Sequence, residues 1–264
     1  MTKQDFIKTI PALKKLSVIY AQTTRMPMVF CMDETMDDYI CVYLDEGEAL
    51  EKAQALSEEK QPAFVVNCKE KEVFPFFAEL RLTGVNAIRF VRAKGDGGEE
   101  VLVQLTDFLV FPDIQSIPEE KRLIENPTLQ LSMLYFMQEI RRPGELSEKR
   151  NLAELEEEAS ANLARSKFLI PSQDVKDEKS GQTKRAVMLL KNNKDDVFIP
   201  LFTDGAELRK FAKENKIGVL ACEFKTVADM LKSGDATGIS INPASMNAIL
   251  NKKGVASLEK RFLE

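Results

Sequence analysis

Phe202-Thr203-Asp204 closes an apolar run, Val197-Phe198-Ile199-Pro200-Leu201, and opens onto Gly205 and a helical pattern. Asn242-Pro243 ends a second apolar run, Gly238-Ile239-Ser240-Ile241. Phe202, Thr203, Asp204, Asn242 and Pro243 are the candidate binding residues of this chain. A hydroxyl, a carboxylate and an amide at a strand-to-helix corner offer hydrogen bonds to a ligand, and a helix N-terminus there offers a place for an anion. Asp204 would repel that anion. Its simpler role is architectural. An Asp at the N-cap accepts hydrogen bonds from the first unpaired amides of the helix, and a Glu three residues later, here Glu207, reaches back to complete a capping box. Asp45 and Glu48 repeat the spacing earlier in the chain. Asn242 is held extended by the proline that follows it, and an Asn side chain there suits tying down a turn.

Other chemistry has little to work with. The 264 residues include no His and no Trp. The commonest general base and the commonest transition-metal ligand are therefore missing, which excludes Ser-His-Asp and Cys-His catalysis and histidine-ligated metals. Cys31, Cys41, Cys68 and Cys222 are scattered and form no Cys-x-x-Cys pair, so neither a zinc site nor a redox motif is indicated. Free thiols fit a reducing compartment. No phosphate loop or Gly-x-Gly-x-x-Gly appears; Lys94-Gly95-Asp96-Gly97-Gly98 is the nearest Gly-rich run and reads as a hairpin turn. The expectation is no cofactor, no metal and no catalytic residue.

Composition sets the surroundings. Hydrophobic residues make up 44% and charged residues 30%, the profile of a globular protein long enough for two domains. The lysine-bearing N-terminus has no long apolar stretch and no run of about 20 apolar residues follows, so neither a signal peptide nor a membrane span is expected and the predicted location is the cytoplasm. A net charge of −5 argues against nucleic acid as partner. Residues 1–145 hold 17 basic and 24 acidic residues, residues 146–264 hold 20 and 18, so the halves could attract each other or a second copy.

The elements that must position the corner occur twice. MVFCMDETMDDYICVYLD (28–45) aligns without a gap on VMLLKNNKDDVFIPLFTD (187–204), pairing Tyr39 with Phe198, Tyr43 with Phe202 and Asp45 with Asp204. Each reads as a hairpin with a polar turn, Asp33–Asp37 or Asn192–Asp196. A helix follows (47–59; 205–216), then a strand (62–68; 217–222), a helix (72–82; 224–234), a strand (86–91; 237–242) and a short last strand (100–105; 246–250). A helix precedes each copy, near 3–22 and 151–165. Between them TLQLSMLYFMQEI reads as a buried amphipathic helix with Met133, Phe136, Met137 and Ile140 on its packed face. It is expected to pack on the first copy; the alternative is a strut docking both halves, or a partner groove. DVKDEKSGQTK (174–184) reads as a polar loop. The predicted fold class is α/β (α+β): two tandem mixed-sheet domains flanked by helices, 1–145 and 146–264, related by internal duplication.

Ile199-Pro200-Leu201-Phe202-Thr203-Asp204, followed by Gly238-Ile239-Ser240-Ile241-Asn242-Pro243, resembles the SseB family, whose N-terminal domain reads as an apolar-Pro-x-Phe-Thr strand and a later Ile-Asn-Pro strand end. The resemblance covers about residues 166–250, with FLIPSQ (168–173) as the first strand. The first copy departs: Cys41-Val42-Tyr43-Leu44 replaces Pro-Leu-Phe-Thr, and no Asn-Pro follows Ile88-Arg89-Phe90. The resemblance implies an α/β domain with a mixed sheet and no established enzymatic activity. Three functions stay open: a non-catalytic interaction or regulatory module that binds a protein partner or itself, a small-molecule sensor or enzyme using Phe202-Thr203-Asp204 and Asn242, and an immunity-type binding protein.

Overall fold

A computed structural model describes residues 2–92, 100–176, 183–213 and 216–264. It has an α/β architecture of mixed sheets and helices. The chain forms two compact units, one of Met1–Arg122 with Met133–Leu152, the other of Leu123–Ser132 with Ala153–Glu264.

In the first unit the opening helix is much shorter than its sequence pattern suggests. Helix α1 (Lys3–Thr9) gives way to a tight turn carrying Pro11, and Lys15–Ala21 is strand β1. Pro11 has no N–H to continue a helix, and Val18, Ile19 and Tyr20 favour a strand. Strands β2 (Met26–Pro27), β3 (Val29–Met32) and β4 (Asp37–Tyr43) follow, then helix α2 (Glu46–Glu58), strand β5 (Ala63–Lys69), helix α3 (Glu70–Leu80), strand β6 (Ala87–Val91) and strand β7 (Glu100–Gln104). Strand β4 is central: it runs antiparallel to β1 and β3 and parallel to β6. Strand β5 lies antiparallel along β1, and β7 along β6. Side chains alternate between faces. Tyr39, Cys41 and Tyr43 form one core cluster with Ala49, Ala53 and Leu56 of α2. In a separate aromatic group Phe90 meets Phe6 and Phe77 edge-on, and Phe77 meets Phe108.

Helix α4 (Pro127–Ile140) gives its second half to this unit. Met133 and Met137 are buried, and Phe136 and Ile140 are partly so. The Tyr135 hydroxyl donates to Asp38 Oδ1 at 2.6 Å, and the Gln138 amide both accepts from the Val29 N–H and donates to its carbonyl.

The second unit contains helix α5 (Leu152–Arg165), strands β8 (Lys167–Lys176), β9 (Thr183–Val187), β10 (Leu190–Lys191) and β11 (Val197–Leu201), helix α6 (Gly205–Ala212), strand β12 (Gly218–Glu223), helix α7 (Phe224–Ser233), strands β13 (Gly238–Ile241) and β14 (Ala248–Asn251), and helix α8 (Lys252–Phe262). Strand β11 runs antiparallel to β10 and parallel to β13, which pairs antiparallel with β14. Strand β8 pairs antiparallel with β9 and β12. It meets the end of β11 through a bridge in which Leu169 and Phe202 exchange both main-chain hydrogen bonds. Phe224, Val227, Ala228 and Leu231 of α7 and Val255 and Leu258 of α8 are buried. The segment expected to loop over 174–184 is strand at both ends, with 177–182 outside the described residues; the glycine-rich run Lys94–Gly98 also lies outside them.

Both units pair their strands alike. Leu16 faces Cys68 as Phe168 faces Cys222, and Tyr39 lies beside Ala87 as Phe198 lies beside Gly238. The hairpins differ by one residue. Phe30 faces Tyr39 across eight intervening positions, and Leu190 faces Phe198 across seven. The gapless alignment of 28–45 on 187–204 is therefore one position out of register in its first strand.

Candidate functional site

The corner is assembled by β11, the start of α6 and the end of β13. Strand β11 is parallel to β13, so both chains finish at the same end of the sheet, Leu201 beside Ile241. Thr203 and Asn242, the next polar residues on each, therefore meet. Asn242 is not extended, as the proline after it predicts; its φ of 47° is a left-handed conformation, which Asn adopts more readily than most residues and which the tight turn it starts requires. Its Oδ1 accepts from the Thr203 N–H at 3.1 Å and its Nδ2 donates to Thr203 Oγ1 at 2.9 Å. The Thr203 hydroxyl in turn donates to Asp204 Oδ2 at 2.8 Å.

Asp204 is the N-cap of α6. Its Oδ1 accepts from the Ala206 and Glu207 N–H groups at 2.8 and 3.0 Å. Its other oxygen accepts from Gln130 Nε2. The reciprocal half of the expected capping box does not form: the Glu207 carboxylate turns to Lys210, at 2.7 Å, and to the Ser245 hydroxyl. Ser245 lies in the tight turn that Asn242 starts, where the Asn242 carbonyl accepts from the Ser245 and Asn247 N–H groups. Asn126 adds two 2.7 Å bonds, to the carbonyls of Thr203 and Lys167.

Phe202, Thr203 and Asn242 are 0% exposed and Asp204 1%. The Phe202 ring packs 5.1 Å from that of Phe211. Pro243, half-buried, is the one of the five candidates that lines open space. That space is a groove of about 300 Å³ on the sheet of the second unit, whose lining includes Leu190, Phe198, Phe211, Pro243 and Ile249 with Ser240 and Asn247 at a polar end. The corner thus spends its hydrogen bonds on its own backbone and neighbours, while the nearest room for a guest lies beside it.

Gln130 and Asn126 are not apparent from the corner's motif. A signal for Gln130 does exist. It falls between Leu129 and Met133 on the buried face of α4, and a polar residue on such a face implies a partner. The amide oxygen of Gln130 has no hydrogen-bond partner although it is buried.

The thiols are poorly suited to nucleophilic work. Burial pushes Cys41 up to about 11, and raises Cys68 and Cys222 as well. Cys31 is raised by partial desolvation and by the carboxylates of Asp38, Asp33 and Asp37. A thiol raised in this way stays protonated near neutrality, whereas the thiolate is the reactive form. Among the described residues no group of three or more Cys, Asp or Glu side chains is placed to hold a metal ion, and no helix is long and apolar enough to cross a membrane.

A central parallel strand pair flanked by antiparallel strands and closed by helices defines a mixed-sheet α/β domain. In the second unit its sequence has a family counterpart: residues 146–256 match the SseB protein N-terminal domain. Curated proteins yield no match. Among solved structures, Anabaena Tic22 (protein transport) aligns over 89% of this chain and 88% of its own at 8% identity with a TM-score of 0.23. Tic22 from Plasmodium falciparum aligns over 97% and 96% at 10% identity with a TM-score of 0.22.

Proposed function

We propose that the protein is a non-catalytic interaction module, binding a protein partner or a second copy of itself. The observation that carries this reading is the closed corner. Thr203, Asp204 and Asn242 hold one another, the helix start and Gln130, and all three side chains lie inside the second unit. A ligand reaching them would have to break buried hydrogen bonds, at roughly 1–3 kcal/mol for each group left unpaired. The raised thiols and the absence of histidine leave few groups for general acid–base or nucleophilic steps. The groove next to the corner supplies an accessible surface with an apolar floor, suited to a partner side chain. The matched strand pairing of the two units supports descent from one duplicated domain, and cytoplasmic residence fits the four free cysteines.

The test uses the full chain. Sedimentation velocity with and without extract fractions should reveal self-association or a stoichiometric partner, and a metabolite thermal-shift screen should leave the melting temperature unchanged. A chain that stays monomeric and unpartnered while a metabolite raises its melting temperature would sink the interaction reading in favour of a sensor or enzyme, because a ligand that binds only the folded state stabilises it.

A further inference from the structure

We infer that the groove of the second unit takes an arginine side chain from the partner, its guanidinium stacked on the Phe198 ring. This names the chemistry of the partner and rests on the interaction reading above.

The first unit supplies the argument. Strand pairing puts Arg89 beside Cys41 and opposite Leu102; in the second unit Ser240 stands beside Pro200 and opposite Ile249. The same registers match Phe30 with Leu190, Tyr39 with Phe198 and Glu100 with Asn247. In the first unit this place is filled from within. The Arg89 guanidinium carbon lies 4.2 Å from the centre of the Tyr39 ring, Phe30 stacks on that ring at 5.6 Å, and Arg89 pairs with Glu100 at 3.5 Å. In the second unit each filler is smaller or neutral: Ser240 for Arg89, Leu190 for Phe30, Asn247 for Glu100. The Ser240 hydroxyl donates to Asn247 Oδ1 at 2.9 Å where the first unit has an ion pair. The aromatic floor is kept, and the groove of about 300 Å³ is what the lost side chains leave behind.

A guanidinium suits that space better than the alternatives. Its flat face is attracted to the ring, its aliphatic stem covers apolar neighbours such as Ile249, and its N–H groups meet the oxygens of Ser240 and Asn247. Lys191, the one cation lining the groove among the described residues, is paired with Asp195 at 2.7 Å, which reduces its repulsion of a guanidinium.

The experiment titrates the full chain with three capped Gly-Gly-X-Gly-Gly peptides, X being arginine, citrulline or leucine, and follows backbone NMR signals of Ser240, Asn247 and Ile249. Citrulline keeps the shape of arginine and removes its charge. The arginine peptide should shift these signals saturably and bind about tenfold more tightly than the citrulline peptide. Phe198→Leu, which keeps an apolar floor, should weaken the arginine peptide selectively. Ser240→Arg with Asn247→Glu, which copies the first unit's plug, should abolish binding. The inference is overturned if leucine or citrulline binds as well as arginine, or if no peptide shifts the signals. Should the titration fail while the full chain still forms its complex, and the double variant forms it equally, the groove is wrong and the interaction reading stands.

Discussion

Asp45 and Asp204 occupy the same point in the two units, between the central strand and the helix after it. Asp45 is exposed and makes one capping bond, to the Glu48 N–H at 3.0 Å. Asp204 is buried, caps two amides, and also receives Gln130 and the Thr203 hydroxyl. One sequence device therefore does two jobs. In the first unit it starts a helix in water. In the second it anchors three separated segments, because the residues that follow the cap's logic, Thr203, Asn242 and Gln130, are present there and Leu44 replaces the threonine in the first. A polar strand-to-helix corner can thus mark a buried joint as readily as a binding site.

The comparison breaks most directly by removing the distant segment. A fragment 146–264 lacks Asn126 and Gln130 and leaves the Asp204 carboxylate and two carbonyls short of partners. We expect a fragment 123–264 to be more stable than 146–264 by about 3 kcal/mol, read from urea melts, since the Asp204 carboxylate and the Thr203 carbonyl each lose a partner away from solvent at roughly 1–3 kcal/mol, whereas the Lys167 carbonyl is exposed. Equal midpoints would mean that residues 123–132 contribute no stability to the second unit. Asp204→Ala should cost about 3 kcal/mol in the full chain, combining a lost cap with an unpartnered Gln130 amide, and Asp204→Asn should cost roughly a third of that. A loss for Asn equal to that for Ala would show that the charge, not the cap, is what the site needs.

The first unit keeps a partly buried carboxylate elsewhere. Glu139 is desolvated, yet bonds from the Arg142 guanidinium, at 2.6 Å, and from the Arg150 N–H outweigh this and hold it below the usual glutamate range. A carboxylate depressed in the folded state contributes stability above its unfolded pKa and loses it as pH falls through the folded value. Glu139→Gln should therefore cost about 1 kcal/mol at neutral pH, and the gap to wild type should close in acid, as followed by thermal melts across pH. A gap constant with pH would assign the loss to packing alone. The smallest effect belongs to Asp45→Ala, about 0.5–1 kcal/mol for an exposed cap. A cost matching that of Asp204→Ala would erase the distinction between the two corners.

Much of the fold was legible. The first hairpin, the helix after it and the later strands fall within a residue or two of their apolar patterns, because each alternation or stripe faces a core, whereas the helix expected over 205–216 stops at Ala212 and the second hairpin's first strand shrinks to Leu190–Lys191. Strand β1 was hidden. Lys14-Lys15-Leu16-Ser17 continues a helical run of charges, and the β-branched and aromatic Val18-Ile19-Tyr20 is too short a signal to outweigh it until β5, β4 and β2 pair along the strand. At the site, the cap was readable from Asp204 because capping is local. The partnership with Gln130 was not, since 74 positions separate the two residues and no spacing rule spans them. The groove was least legible of all, being defined by the absence of a large side chain at Ser240.

Helix α4 is shared by sequence in an unusual way: residues up to Ser132 group with the second unit and those from Met133 with the first, so the chain changes unit at three points. On a ribosome this matters for timing. Domains usually fold in order of emergence. Here the first unit is incomplete until Leu152 has emerged, and by then the opening piece of the second, which precedes it, has already left the exit tunnel without Thr203 and Asp204. Gln130 and Asn126 must wait for more than seventy residues before Thr203 and Asp204 arrive, so the two units are expected to mature together during synthesis.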